Sequence, residues 1–215
     1  MLNQEIIFIF SLLVLLFSAI LHEISHGFSA KLQGDNTAEA AGRLTLNPLP
    51  HLDLFGSIIL PLILALPALF GMPAFIIGWA KPVPFNPNNL RNKKRGAALV
   101  ALAGPLTNIL IALFFGIIFR ISLLFHNLPL SFGAFLMVII WINLLLAVFN
   151  LVPLPPLDGS KLLFSLFPLS WIKVETWLER YGFLLLLMFI FFGFELILPI
   201  ILFLFRLIAG QPFGF

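Results

Sequence analysis

The chain has 215 residues, of which 61% are hydrophobic and only 10% charged, against about 25% charged in an average soluble domain, so an ordinary water-soluble globule is excluded and a polytopic membrane protein is expected. The net charge of +3 comes from 12 basic and 9 acidic residues, with Arg91, Lys93, Lys94 and Arg95 clustered; one short cluster beside apolar runs suits a cytoplasmic loop facing anionic lipid and excludes a nucleic-acid partner. No cysteine is present, which rules out disulfides and thiolate ligands and leaves histidine, carboxylate and water for any metal.

The first predicted helix covers residues 4–30. It has no basic residues ahead of its apolar run and no small-x-small cleavage site after it, so it is expected to stay attached as a membrane helix. No charge interrupts it between Glu5 and His22, about 26 Å apart along a helix, which puts His22-Glu23-Ile24-Ser25-His26 near the far edge of the hydrocarbon. Histidines four apart share one helix face, so both imidazoles reach a single metal ion. The glutamate beside the first ligand is then placed to hold and deprotonate a water molecule, as in a zinc hydrolase half-site. Neighbouring helices could instead satisfy these groups structurally, but three ionisable residues in a membrane at this spacing make that the weaker reading.

Residues 31–50 turn polar, with Gly34-Asp35-Asn36 as a turn and residues 42–46 alternating like a short strand. His51 and Asp53 stand at the mouth of the next apolar segment, within reach of the metal region, although a lone histidine there is more often an interfacial hydrogen-bonding residue. Residues 54–79 carry Gly56, Pro61, Pro67, Gly71 and Pro73, which predict a kinked span or re-entrant hairpin. Residues 79–85 read as a second strand-like piece of edge character.

A second spanning helix is predicted over 97–119. In it Gly104 permits close helix approach, and Asn108 demands a polar partner or serves as packing glue. Arg120 and His126 fall in an interfacial connection. A third spanning helix, 132–149, runs into Asn150 and the proline break from Pro153 to Pro156, which leaves irregular backbone in an apolar setting and is tolerated only against protein or a cavity. Asp158 closes the break, as a helix cap or as the carboxylate ligand that the histidine pair lacks. Residues 162–179, with Trp171 and Trp177, look interfacial, and 183–205 span once more, interrupted by Glu195.

If His22, His26 and Asp158 share an ion, the first and third spanning helices run parallel, so residues 54–79 cross an even number of times. Twenty-six residues are too few for two spans of about 20, which favours the re-entrant hairpin. That topology gathers Lys31, Arg43, Lys81, Arg91, Lys93, Lys94, Arg95, Lys161, Lys173 and Arg180 on one face and leaves Arg120 and Arg206 opposite, which puts the site on the cytoplasmic side. The expected fold is an all-α polytopic membrane protein: four main transmembrane helices, a re-entrant or kinked segment, and short strand-like pieces near the active site. It forms one domain over 1–215, with a core at 4–168 and a C-terminal helical segment at 181–209.

His22-Glu23-Ile24-Ser25-His26, Gly42 to Asp53, Gly104-Pro105-Leu106-Thr107-Asn108, and Asn150 through Leu157-Asp158-Gly159 together resemble the site-2 protease family of intramembrane zinc metallopeptidases. The resemblance implies one zinc ion held by His22, His26 and Asp158, with Glu23 as catalytic acid/base. It also implies a compact form lacking the PDZ module of many relatives. The expected activity is hydrolysis of peptide bonds within or near transmembrane segments of membrane-protein substrates, as in regulated intramembrane proteolysis, from a multi-pass position in the plasma-membrane bilayer. Asn150 is the expected stabiliser of the tetrahedral oxyanion, with a helix C-cap as its structural alternative. Either strand-like piece is a candidate edge for holding an unwound substrate. The rival function, a membrane metal-ion transporter or sensor with the same ligands, has no use for a base between them.

Overall fold

The computed structural model describes residues 4–59, 62–63, 66, 80–124 and 129–211. Helix α1 (Gln4–Leu32) is aliphatic or aromatic from Ile6 to Leu21 except at Ser11 and Ser18, with Glu5 in its first turn and Lys31 in its last, each at the end of the helix dipole that favours its charge. It stops at Gly34, whose φ of 104° is left-handed backbone. The N–H groups of Gly34 and Asp35 turn back onto the carbonyls of Lys31 and Ala30, both at 3.0 Å, and satisfy the last turn. A four-residue helix, α2 (Thr37–Ala40), follows, then a 3₁₀ turn at Leu49–His51 and a π-helical turn at Leu54–Ile59.

Helix α3 (Lys93–Ser122) starts four residues before the apolar pattern does, because the Asn92 side chain accepts the Arg95 N–H at 2.9 Å and caps it. Helices α4 (Leu130–Asn150), α5 (Asp158–Leu166), α6 (Ile172–Met188) and α7 (Phe194–Ala209) follow, with a π-helical turn at Phe189–Gly193 joining the last two. Four helical stretches are long and apolar enough to span a membrane: Glu5–Leu32, Lys93–Ser122, Ser131–Asn150 and Ile172–Ala209. The chain is an integral membrane protein. The last stretch has 38 residues, about 57 Å of helix against a hydrocarbon core of about 30 Å. Its charged beginning, with Lys173, Glu175, Glu179 and Arg180, therefore extends outside.

Helix α3 is the hub, packing on α1, α4, α5 and α7. Ala112 and Phe119 from α3, Ile140 and Leu144 from α4, and Ile201 and Phe205 from α7 form its fully buried core. Phe8, Leu110, Phe114, Phe192 and Phe203 face outward, where lipid is the solvent. Arg120 donates from Nε to the Ile208 carbonyl at 2.7 Å and from Nη2 to that of Leu207, capping the C-terminus of α7.

The strand-like expectations fail. No strand forms among the described residues. Gly42 adopts a φ of 65°, and the Arg43 N–H closes the end of α2 on the Ala38 carbonyl at 2.9 Å, so the start of 42–46 is used as a helix cap. In 80–85, Pro82 and Pro84 have no N–H, while those of Lys81 and Val83 go to the His51 carbonyl and the Glu23 carboxylate, so no ladder can form. The expected re-entrant segment falls largely outside the described residues, as does His126. Its two flanks meet: Arg91 N–H donates to the Gln33 carbonyl at 3.1 Å, so the chain leaves α1 and enters α3 at the same end of the bundle.

Asp35 fastens that junction. It is fully buried and accepts the Asn86 N–H at 2.6 Å and the Asn89 side-chain amide at 2.8 Å. Burial pushes its carboxyl upward, but the bonds from Thr37, Asn86 and Asn89 outweigh burial and hold it below the ordinary aspartate range.

Candidate metal centre

Helix α1 presents His22 and His26, one turn apart, to α3 and the start of α5. Both are buried, and their rings meet edge to face with centroids 4.7 Å apart. Hydrogen-bond partners decide where their protons sit. The Ile139 carbonyl can only accept, so it takes a hydrogen from Asn143 Nδ2 at 2.9 Å. Asn143 Oδ1 therefore accepts from Asn108 Nδ2, also at 2.9 Å, and Asn108 Oδ1 accepts from His22 Nδ1 at 2.6 Å. His26 Nδ1 donates to the Val100 carbonyl at 2.7 Å. Both rings are thus tied through Nδ1–H, and both Nε2 lone pairs are turned to the same spot.

The proline break delivers Asp158 to that spot at the head of α5. Its Oδ2 lies 3.0 Å from His22 Nε2 and 3.1 Å from His26 Nε2, while Oδ1 receives Lys161 Nζ at 3.2 Å. Three acceptor atoms crowd together here with no intervening donor when the imidazoles are neutral, an arrangement that calls for a cation between them. Gly104 keeps the space in front of them open: a Cβ there would come within 2.5 Å of His22 Nε2 and 2.6 Å of His26 Nε2. The donor set, two imidazoles and a carboxylate, is one that zinc accepts.

Glu23 lies beside the pair, and its Oε2 accepts the Val83 N–H at 2.8 Å. One ligand atom from each of His22, Glu23 and His26 falls within 4.8 Å of the others, so the three could also hold a metal without Asp158. A cavity of about 110 Å³ opens in front of Glu23, the two histidines and Asp158, with Asn150 and Lys161 on its walls. Asn150, the last residue of α4, donates one amide hydrogen to the Leu146 carbonyl at 2.9 Å.

Other residues singled out by sequence fall elsewhere. His51 is buried away from the cavity, its Nε2 on the Thr45 carbonyl at 2.9 Å. Asp53 caps the π-helical turn, accepting the Gly56 N–H at 2.7 Å. Glu195 sits exposed in the first turn of α7. Asn108 is more than packing glue, since it holds His22. Sequence reasoning missed Asn143 and Ser18, which complete the network under Asn108: Asn143 Nδ2 also reaches Ser18 Oγ at 3.0 Å. The signal was present, since an amide in the middle of an apolar span requires a partner, and Asn143 is seven residues before Asn150, on the same face.

Residues 124–189, which include Asn150 and Asp158, match Peptidase family M50. The chain is 37% identical over 183 residues to a Bacillus subtilis protein named "Putative zinc metalloprotease YwhC", covering 81% of this chain and 77% of that one. It is 34% identical over 145 residues to the Rip2 protein of Mycolicibacterium smegmatis, which carries the same description, covering 67% of this chain and 52% of Rip2. It therefore spans about half the length of Rip2. No solved structure matches the chain. Thirty-seven per cent identity across four-fifths of the chain, together with paired histidines on a membrane helix facing an aspartate, leads to one conclusion: the chain belongs to peptidase family M50, the site-2 protease family of metalloproteases.

Proposed function

We propose that the chain is an intramembrane zinc endopeptidase that cuts membrane-protein substrates within or near their transmembrane segments. The observation that carries this reading is the convergence of two imidazole Nε2 atoms and one carboxylate oxygen beside Glu23, in a cavity between membrane helices. His22, His26 and Asp158 are the zinc ligands. Bound there, the ion would supply Lewis-acid polarisation and acidify a water molecule.

The chain's own groups do the rest. Val83 N–H anchors one oxygen of Glu23; the other takes the proton of the attacking water and passes it to the leaving amine. Asn150 retains a second amide hydrogen beyond the one given to Leu146, and donates it to the oxyanion that develops on the scissile carbonyl. The cavity, about 110 Å³, is far too small to admit a folded transmembrane helix. A substrate helix must therefore unwind, and the cavity wall must part, before a peptide carbonyl reaches the site. The cluster of Arg91, Lys93, Lys94 and Arg95, with Lys31, supports a site on the cytoplasmic side of the membrane.

The test is product mapping. The protein is reconstituted in lipid nanodiscs with a panel of single-span peptides, and the products are read by mass spectrometry. Cuts inside or at the edge of the apolar span, abolished by a zinc chelator and restored by zinc, are expected. Cuts confined to soluble flanks, or none across the panel, would overturn the assignment.

A further inference from the structure

We propose that Arg43 is a positioning residue for Glu23, acting through the peptide bond between Pro82 and Val83. The proposal rests on the reading of Glu23 as the acid/base. Arg43 is only 7% exposed, and the ion pairs among the described residues do not include it. Its Nη2 donates to the Lys81 carbonyl at 2.6 Å and the Pro82 carbonyl at 3.2 Å, while its Nε has no hydrogen-bond partner. An arginine serving only as a surface prop extends its head to water. This guanidinium is withdrawn from water and spent on two successive carbonyls of one strap.

The strap is built to transmit that hold. The Pro82 carbonyl and the Val83 N–H belong to one planar peptide unit, and in the trans form they point in opposite directions. Arg43 grips the carbonyl side, and Glu23 Oε2 accepts from the N–H side at 2.8 Å. Pro82 and Pro84 fix φ on both flanks and offer no N–H, so Val83 is the single backbone donor between residues 82 and 84. Farther out, the Lys81 N–H is held by the His51 carbonyl at 2.8 Å and the Asn86 N–H by Asp35 at 2.6 Å. The peptide plane cannot rotate without releasing either Arg43 or Glu23. A cation on its carbonyl also polarises the N–H that Glu23 accepts. Both bonds leave from one nitrogen, Nη2, so the single cationic nitrogen of a lysine can keep part of the hold.

The experiment uses the full chain in detergent with four readouts: zinc content, thermal unfolding, kcat and KM on a membrane-spanning peptide, and thiol labelling. The chain has no cysteine, so Val83→Cys, at a site only 6% exposed, reports whether the strap is seated, and Thr176→Cys on exposed α6 controls for reagent access. Arg43→Ala is expected to lower kcat by about tenfold or more with KM changed less than about twofold. It should accelerate labelling of Val83→Cys but not of Thr176→Cys, and leave zinc content intact. Arg43→Lys should recover most of the loss in both kcat and labelling protection. Val83→Pro, which deletes the transmitted N–H, should reproduce the kcat loss and should add little to Arg43→Ala. Wild-type kcat and labelling in Arg43→Ala, or parallel losses of zinc and melting temperature that Arg43→Lys does not reverse, would overturn the proposal. If Glu23→Gln cleaves like wild type, the acid/base reading fails by itself, and the labelling rates still decide whether Arg43 holds the strap.

Discussion

Gly104→Ala sets two effects of one methyl group against each other. In a helix interior, alanine is favoured over glycine by about 1 kcal/mol, so helix propensity alone predicts a more stable protein. At this position, however, the Cβ would lie 2.5 Å from His22 Nε2 and 2.6 Å from His26 Nε2, about 0.9 Å inside ordinary contact. Neither ring can retreat that far and keep its Nδ1 bond, 2.6 Å to Asn108 or 2.7 Å to the Val100 carbonyl, because the same shift stretches those bonds to about 3.5 Å, beyond useful range. Two buried hydrogen bonds at about 0.5–1.5 kcal/mol each make the cost about 1–3 kcal/mol, or about fivefold to 150-fold in zinc affinity. Competition with a fluorescent chelator measures that affinity, and thermal unfolding of the zinc-free protein measures the fold. The expected result is weaker zinc binding in a zinc-free protein no more stable than wild type, because the gain in helix propensity of about 1 kcal/mol offsets at most the lower end of the cost of the two bonds. Gly104→Ala protein that binds zinc with wild-type affinity would refute the argument that the two lone pairs face a space kept open by this glycine.

Asn143→Leu should weaken zinc by about 10–100-fold although residue 143 touches no ligand, because Asn108 is then released and His22 loses its fixed tautomer; unchanged affinity would show that the amide network does not orient the ligand. Asp35 has a depressed carboxyl pKa, so its stabilisation is present above the unfolded value of about 3.9 and is lost as pH falls through the folded value. The melting temperature of Asp35→Asn should accordingly lie below wild type at pH 5–7, and the gap should close in stronger acid; a gap independent of pH would contradict this. Arg120→Met keeps the apolar stem but removes the cap from the Leu207 and Ile208 carbonyls. It should cost about 1 kcal/mol in thermal unfolding and leave zinc content untouched.

The half-site on α1 was legible because it is local: a four-residue spacing on one helix fixes a shared face whatever surrounds it. Asp158 was legible through the proline run that strands it in an apolar setting. The amide network was not, because Asn143 and Ser18 are 125 residues apart and meet only through the relative rotation of α1, α3 and α4. The alternation in 42–46 and 79–85 misled because period-two patterning marks extended backbone, whereas a strand also needs free donors, and the prolines and the α2 cap remove them. Helix limits slipped wherever apolarity stood in for capping. Asn92 starts α3 at Lys93, and α6 runs from Ile172 to Met188 straight through the expected boundary at 179–183 because the single glycine at 182 does not stop a helix.

The central claim is that Glu23 performs chemistry at a zinc site whose ligands are other residues. Purified Glu23→Gln, compared with wild type for zinc stoichiometry and for cleavage of a membrane-spanning peptide in the same sample, tests it most directly. The account predicts about one zinc per chain in both proteins and a loss of cleavage of about a hundredfold or more in the variant. Cleavage by Glu23→Gln at the wild-type rate would contradict it.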